Sequence, residues 1–343
     1  GEGRGAVADE GEGVFHGVRG FSTKGSGLTE PYHTKGAILI AGPTASGKSA
    51  LAMAVAAHVG GEIVNADSMQ VYAEMRVLTA RPSAEDEAKV PHHLYGVMGA
   101  GEACSAGKWS RMALIAIAEI EARGRVPVVV GGTGLYFRTL VEGLSPIPAV
   151  AEDVRDAVRA EVAAAGDGAH ALLMAVDPVL AEVIRPSDKQ RIARGVEVAR
   201  GTGRPLSQWH KEPPHPLLTG KLAKIVLTPE REWLRGRCDL RFEQMLETGA
   251  LDEARAMAAL GLDAALPAMK ALGLRPVMDY VVGKIELSDA VARGQAETRA
   301  YAKRQETWFR TQMIAWERCF TQDSERLRTE IFSFIDDLGL TGR

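Results

Sequence analysis

Ala37-Ile38-Leu39-Ile40-Ala41-Gly42-Pro43-Thr44-Ala45-Ser46-Gly47-Lys48-Ser49 is the stretch from which the fold is read. A short apolar run, too short for a helix, passes straight into G-x-x-x-x-G-K-[ST]. A helical pattern follows and stops at Gly60-Gly61. That order of strand, glycine loop and helix is what phosphate binding needs. Glycines let backbone N–H groups close around phosphate oxygens, and the helix N-terminus adds partial positive charge. Lys48 supplies a point charge and Ser49 an oxygen for Mg²⁺. The expected diphosphate cradle is therefore Gly42, Pro43, Thr44, Ala45, Ser46, Gly47, Lys48 and Ser49. The pattern arises by chance roughly once in a hundred chains of this length, so it carries weight. It reports a di- or triphosphate with a metal, as in a nucleotide kinase or an ATPase, and leaves open whether that group is ATP or another diphosphate ester.

Working outward, three more short apolar runs, Glu62-Ala66, Val126-Val130 and Lys224-Leu227, read as buried strands, each followed by a turn or loop and a helical pattern. The fold class expected is α/β: a P-loop core with a mostly parallel sheet flanked by helices, plus a helical insertion domain. The insertion spans 146–219, where strand-like runs give way to amphipathic segments around Asp153-Ala165, Pro178-Ile184 and Asp188-Arg200. Pro146 and Pro148 bound it on one side, and Pro213, Pro214 and Pro216 on the other. It divides the core into 36–145 and 220–325. Residues 1 to about 35, rich in glycine and mixed charge, read as a flexible leader, and 326–343 as a C-terminal tail. Val18-Lys24 has some flavour of a transit peptide, against which Asp9, Glu10 and Glu12 count.

At 343 residues the chain can bury a core without staples, and 46% hydrophobic with 25% charged residues argues against a wholly disordered, collagenous or coiled-coil chain. Lys plus Arg total 41 against 44 for Asp plus Glu, so any nucleic-acid contact must come from a local basic face. Cys104, Cys238 and Cys319 lack metal-type spacing and fit free thiols in a reducing, cytoplasmic setting. His92-His93 reads as structural. No apolar run approaches the roughly 18 residues of a membrane span.

Two further strand ends carry chemistry. Asp67, in Asp67-Ser68-Met69-Gln70-Val71-Tyr72, follows the second run. In a parallel sheet it opens onto the same crevice as the phosphate loop. It suits a base facing a nucleophile or a residue behind a magnesium ion; the plain alternative is a side-chain cap on the next turn. Thr133, in Gly131-Gly132-Thr133-Gly134-Leu135-Tyr136-Phe137, ends a third strand, with helix capping as its plain alternative.

With these segments in hand, the sequence closely resembles the tRNA dimethylallyltransferase (tRNA isopentenyltransferase) family. The likeness rests on residues 42–49, 67–72 and 131–137, and continues through Asp188-Arg194, Arg237-Phe242 and Lys303-Arg310, covering roughly 37 to 320. The resemblance implies transfer of a dimethylallyl group from dimethylallyl diphosphate to N6 of the adenosine just 3′ of the anticodon, in tRNAs reading codons that begin with U. It implies a helical insertion that closes over the RNA, Asp67 as general base, and Thr133 and Arg241 beside the diphosphate with Lys48. It also implies tRNA contacts from Asp67, Ser68, Met69, Gln70, Thr133 and Arg155, from Gln190, Arg191, Ile192, Ala193 and Arg194, from Lys270 and Arg275, and from Lys303, Arg304, Gln305 and Arg310. The partners expected are tRNA, by its anticodon stem-loop, and dimethylallyl diphosphate, with Mg²⁺ as cofactor and a monomer as the working unit.

A final helix is expected from about Ala296 to Phe320, with Arg299, Lys303 and Arg310 on one face and Phe309, Met313, Trp316 and Phe320 as an apolar stripe. A basic face of this kind suits RNA; a merely solvated face is the alternative. Three competing functions remain: a relative that prenylates free AMP, ADP or ATP, a small-molecule kinase, and a P-loop RNA-binding protein without catalysis. The basic helix argues against the first, the lack of a clear arginine-bearing lid against the second, and the acid at position 67 against the third.

Overall fold

In the computed structural model, which describes residues 31–320 and 324–341, the leader expected for residues 1 to about 35 lies outside the described residues as far as position 30. Residues 32–35 are not leader. They open the first strand, β1 (Tyr32–Ala41), where the Tyr32 hydroxyl donates to Glu121 Oε2 (2.6 Å), Lys35 N–H to Glu121 Oε1 (2.9 Å), and Thr34 to the same carboxylate. The polar run Tyr-His-Thr-Lys hides this extension, because neighbouring-strand pairing rather than its own apolarity holds it.

The phosphate loop leads into α1 (Lys48–Val59), then β2 (Gly61–Asn65), α2 (Ala84–Lys89), the two-residue β3 (His92–His93), α3 (Ala106–Ala122), β4 (Val126–Gly131) and α4 (Gly134–Val141). The insertion follows as α5 (Glu152–Ala165), α6 (Ala169–Val176), α7 (Pro178–Val183), α8 (Lys189–Thr202) and the short α9 (Leu206–Trp209). The chain returns through β5 (Leu218–Leu227), α10 (Arg231–Glu247), α11 (Ala250–Ala259), α12 (Leu274–Val281), α13 (Leu287–Gln312), β6 (Glu317–Cys319) and α14 (Ser324–Asp337).

All strand pairs are parallel, in the order β3-β2-β4-β1-β5-β6. Their near-continuous apolar character follows from burial of both faces. Ile38, Ile40, Ile63, Val128 and Val130 point to α1 and α14, meeting Val55, Ile331 and Ile335. The alternate residues Leu39, Val64 and Val129 point to the opposite side, where Trp109, Leu114 and Phe137 of α3 and α4 pack. The insertion has a separate core of Val158, Val162, Leu173, Leu180, Ile192 and Val196. At Gly195 a Cβ would come 2.5 Å from Leu173 Cδ1, so a larger residue there would push the Leu173 side chain aside where α8 approaches α6.

Two expectations at the C-terminal end are corrected. The last long helix begins at Leu287 and stops at Gln312, with Met313 leaving helical geometry. Phe309, Met313 and Trp316 are buried as expected, but Phe320 lies past the sixth strand and is 72% exposed. The tail is a helix, α14, docked on the sheet through Leu327, Ile331 and Ile335. These residues recur at helical spacing and pack on the same side of the sheet as α1.

Candidate active site

The order β2-β4-β1 places three strand ends side by side, and backbone hydrogen bonds tie their loops together. Gly42 N–H donates to Gly131 O (3.3 Å), Ala66 N–H to Val130 O (2.7 Å) and Thr133 N–H to Ala66 O (3.1 Å). The phosphate loop turns through Ala45 and Gly47, both in the left-handed region (φ 62° and 88°). Gly47 adopts that region freely, whereas Ala45 is held there. Arg237 of α10 donates its Nε to Ala45 O (3.0 Å) while stacking over Trp233, which braces the strained residue from outside.

Asp67 is held from two sides. Asn65, fully buried at the end of β2, accepts from Asp67 N–H (2.8 Å) through Oδ1 and donates from Nδ2 to Asp67 O and Leu94 O (3.0 Å each). Asp67 Oδ1 accepts from Met69 N–H (2.9 Å), so the turn-capping role is real but occupies only one carboxylate oxygen. A Cβ built on Gly132 would lie 3.3 Å from Asp67 Oδ2, which places that second oxygen over the β4 turn. Thr133 does not cap α4 with its side chain. Its hydroxyl accepts from Ser68 N–H (2.9 Å), joining the second and third strand ends.

Across from these ends, α10 and α13 close a pocket of about 200 Å³ that contains Thr44, Asp67, Ser68, Arg241, Tyr301 and Arg304 among its walls. Arg241 Nη2 donates to the Thr44 hydroxyl, so the guanidinium reaches the phosphate loop from α10. Lys48 Nζ folds back to within 3.3 Å of Pro43 O. Burial pushes the Lys48 ammonium down to about 8; the Asp67 charge works against this and Arg241 adds to it. Burial likewise lowers the Arg241 guanidinium from its usual value, opposed by Cys238 and Asp67. Burial and the Asp67 charge raise the Tyr301 phenol, which stays protonated. The arrangement concentrates cationic groups beside a loop built for anions and leaves one carboxylate facing the same space.

A family model described as IPP transferase matches residues 70–312, and one described as isopentenyl transferase matches 35–95. A tRNA dimethylallyltransferase of Parvibaculum lavamentivorans is 69% identical over 305 residues, 89% of this chain and 97% of the relative. The chain belongs to the tRNA dimethylallyltransferase family. Among solved structures it is similar to a tRNA isopentenylpyrophosphate transferase from Bacillus halodurans, at 33% identity and a TM-score of 0.64, over 89% of this chain and 97% of that one. It is also similar to a eukaryotic dimethylallyltransferase acting on tRNA, at 25% identity and a TM-score of 0.74, over 90% and 80%.

As a member of the tRNA dimethylallyltransferase family, the chain was expected to turn a set of residues toward RNA, and their placement is uneven. Asp67, Ser68, Met69, Lys270 and Arg304 line the pocket. Lys303 and Arg310 are exposed on α13, Lys270 and Arg275 are exposed near α12, and Gln190, Arg191 and Arg194 are exposed on α8. Arg155 is half-buried beside Glu152 (3.7 Å). Three residues do not face outward. Ile192 and Ala193 are buried in the insertion's core, because the helix period turns them to the opposite side from Arg191 and Arg194. Gln305 is only 5% exposed, and its amide is bonded inside the protein to Thr44 N–H and Gly132 O (2.8 Å each). Gln70 is half-buried, with Nε2 donating to Thr79 O and Ala80 O (2.8 Å each), so its amide hydrogens hold the 79–80 turn. Arg299 pairs with Asp239 on α10 instead of joining the exposed basic face.

Sequence reasoning missed Asn65 and Tyr301. Asn65 left one usable signal, an amide at the end of an otherwise apolar buried strand, where a polar group must have partners. Tyr301 left none, since a tyrosine one helical turn from basic residues reads as an ordinary surface position.

Proposed function

We propose that this protein transfers the dimethylallyl group of dimethylallyl diphosphate to N6 of the adenosine 3′-adjacent to the anticodon, in tRNAs reading codons that begin with U, and releases diphosphate. The observation that carries this reading is the shared pocket of Asp67 and Arg241, set against the phosphate loop in a chain of the tRNA dimethylallyltransferase family. The N6–C1 bond forms as the allylic C1–O bond breaks, and the N6 proton passes to Asp67. The lone pair on N6 is delocalised into the adenine ring, so removing that proton as the bond forms contributes roughly 10²- to 10⁴-fold. The departing diphosphate is met by loop N–H groups, by Lys48 and by Arg241, groups already in place before charge develops. No phosphoryl transfer is involved, so the loop binds a leaving group. Tyr301 and the Thr133–Ser68 pair shape the wall against which the adenine, extruded from its stack at a cost of a few kcal/mol, is held.

Among the described residues no group of three or more His, Cys, Asp or Glu could hold a metal ion unaided. That fits Mg²⁺, which is commonly held by one or two protein oxygens together with substrate phosphates. Ser49, exposed in the first turn of α1, is the residue that would hold it. When bound it supplies neutralisation of the diphosphate charge.

The exposed Lys303, Arg304 and Arg310 support RNA as the acceptor, because a mononucleotide has no use for them. Among the described residues no helix is long and apolar enough to cross a membrane, and the proposal places the enzyme in the cytoplasm, acting as a monomer. The test is incubation with radiolabelled dimethylallyl diphosphate and either bulk tRNA or AMP. Label should enter tRNA; equal or greater labelling of AMP would refute the assignment in favour of a free-nucleotide prenyltransferase.

A further inference from the structure

The segment Lys303-Arg304-Gln305-Glu306-Thr307-Trp308 has two opposite faces. Lys303 and Arg304 are exposed, whereas Gln305 is buried and crosses to the phosphate loop. Its Oε1 accepts from Thr44 N–H and its Nε2 donates to Gly132 O, both at 2.8 Å. A neutral amide can accept at one bond and donate at the other here; an ionised carboxylate cannot donate and an ammonium cannot accept. The contact is close-fitting: a Cβ on Gly132 would meet Gln305 Nε2 at 2.4 Å and Asp67 Oδ2 at 3.3 Å. Gly134 answers Trp308 in the same way, with a Cβ 2.1 Å from Trp308 Nε1. The glycines of the third strand-end motif are therefore shaped by α13, one helical turn apart. One side chain thus spans the turn after β1 and the turn after β4, beside the Asp67 carboxylate. It also uses up Thr44 N–H, which is therefore not offered to phosphate.

We propose that Gln305 is a positioning residue for the transfer reaction: its amide holds the phosphate loop at a fixed distance from the β4 turn, and so sets the diphosphate relative to Asp67, and it does not contact RNA. This deepens the function proposed above and rests on it. The neighbouring Arg241–Thr44 contact holds the Thr44 hydroxyl from α10, whereas the Gln305 amide holds the Thr44 backbone N–H.

The experiment uses the full chain with Gln305→Met and Gln305→Glu. Wild type and variants are assayed for transfer from dimethylallyl diphosphate to tRNA, for tRNA binding, and for binding of inorganic diphosphate by calorimetry. Gln305→Met should lower kcat/KM for dimethylallyl diphosphate by about 30-fold or more, in line with the roughly 10²-fold effect of small misplacements, while the Kd for tRNA moves less than about twofold. Gln305→Glu carries a separate signature. When ionised it cannot donate to Gly132 O and sets a negative charge beside Asp67; when protonated it can donate and accept as the amide does. Its activity relative to wild type should therefore rise as pH falls from 8 to 6. A tRNA Kd weakened tenfold with the diphosphate constants unchanged would overturn the proposal, as would a Gln305→Glu ratio independent of pH, which also decides the matter if Gln305→Met fails to fold. If wild type itself labels no tRNA, the assigned function fails instead. Weaker binding of inorganic diphosphate by the variants would then still support the positioning role, and unchanged binding would refute it.

Discussion

Lys48 illustrates a cost built into the phosphate cradle. Its pKa falls from 10.5 to about 8 through burial, with Arg241 adding to the depression and Asp67 opposing it. At about 1.36 kcal/mol per unit, holding the ammonium charged in the folded protein without its ligand costs about 3 kcal/mol. The sign follows from linkage. Between pH 8 and 10.5 the unfolded chain binds more protons at this site than the folded one, so stability rises with pH across that window, and the penalty is fully present below about 8. Lys48→Met keeps most of the length of the side chain and removes the charge. It should be more stable than wild type at pH 7, by about 1–3 kcal/mol once local relaxation is allowed for, and the gap should shrink toward pH 10. Urea unfolding of both proteins at several pH values measures this, with the difference between them cancelling the other titrating groups. Saturating inorganic diphosphate should reverse the order, stabilising wild type and leaving the variant nearly unchanged. At pH 8.5 Lys48 should take up about three quarters of a proton when diphosphate binds to wild type, seen as a dependence of calorimetric heat on buffer ionisation. A variant less stable than wild type at pH 7, or a gap that does not change with pH, would refute the argument.

The other expectations are more direct. Asp67→Asn keeps size and much of the hydrogen bonding but cannot accept a proton, so single-turnover transfer should fall by roughly 10² or more, about 3 kcal/mol, with substrate affinities changed far less. Loss of magnesium-dependent diphosphate binding at an unchanged saturated rate would instead make Asp67 a metal-site residue. Replacing Lys303 and Arg310 by Ala should raise the apparent KM for tRNA and flatten its salt dependence, measured by transfer at two ionic strengths. Removal of residues 1–30 should leave melting and activity nearly unchanged, whereas removal of 1–35 should lower the melting temperature, because Tyr32 and Thr34 bind Glu121 and pair with β5. Gly132→Ala should nearly abolish transfer while leaving tRNA binding intact, since its Cβ must displace the Gln305 amide.

The strands at Ala37, Glu62, Val126 and Lys224 were legible because each is a short apolar run ending in turn residues, and a parallel sheet buried on both faces demands such runs. The phosphate loop was legible for a similar reason: backbone chemistry at a helix N-terminus is local, and its glycines and lysine must lie within a few residues of one another. From one strand to the next, that locality also placed Asp67 and Thr133 at the same edge. What tertiary structure alone decided is which residues meet across the pocket. Nothing near Gln305 in the sequence indicates that its amide faces Thr44, 261 positions away, rather than solvent with Lys303 and Arg304. Arg299 turns to Asp239 for the same kind of reason, and Ile192 and Ala193 turn inward while Arg191 and Arg194 turn out. The short edge strands and the docked α14 belong here too, since their stability comes from the sheet they complete and cover. Local periodicity sets what an element is, but which of its faces finds a partner depends on contacts made across the whole chain.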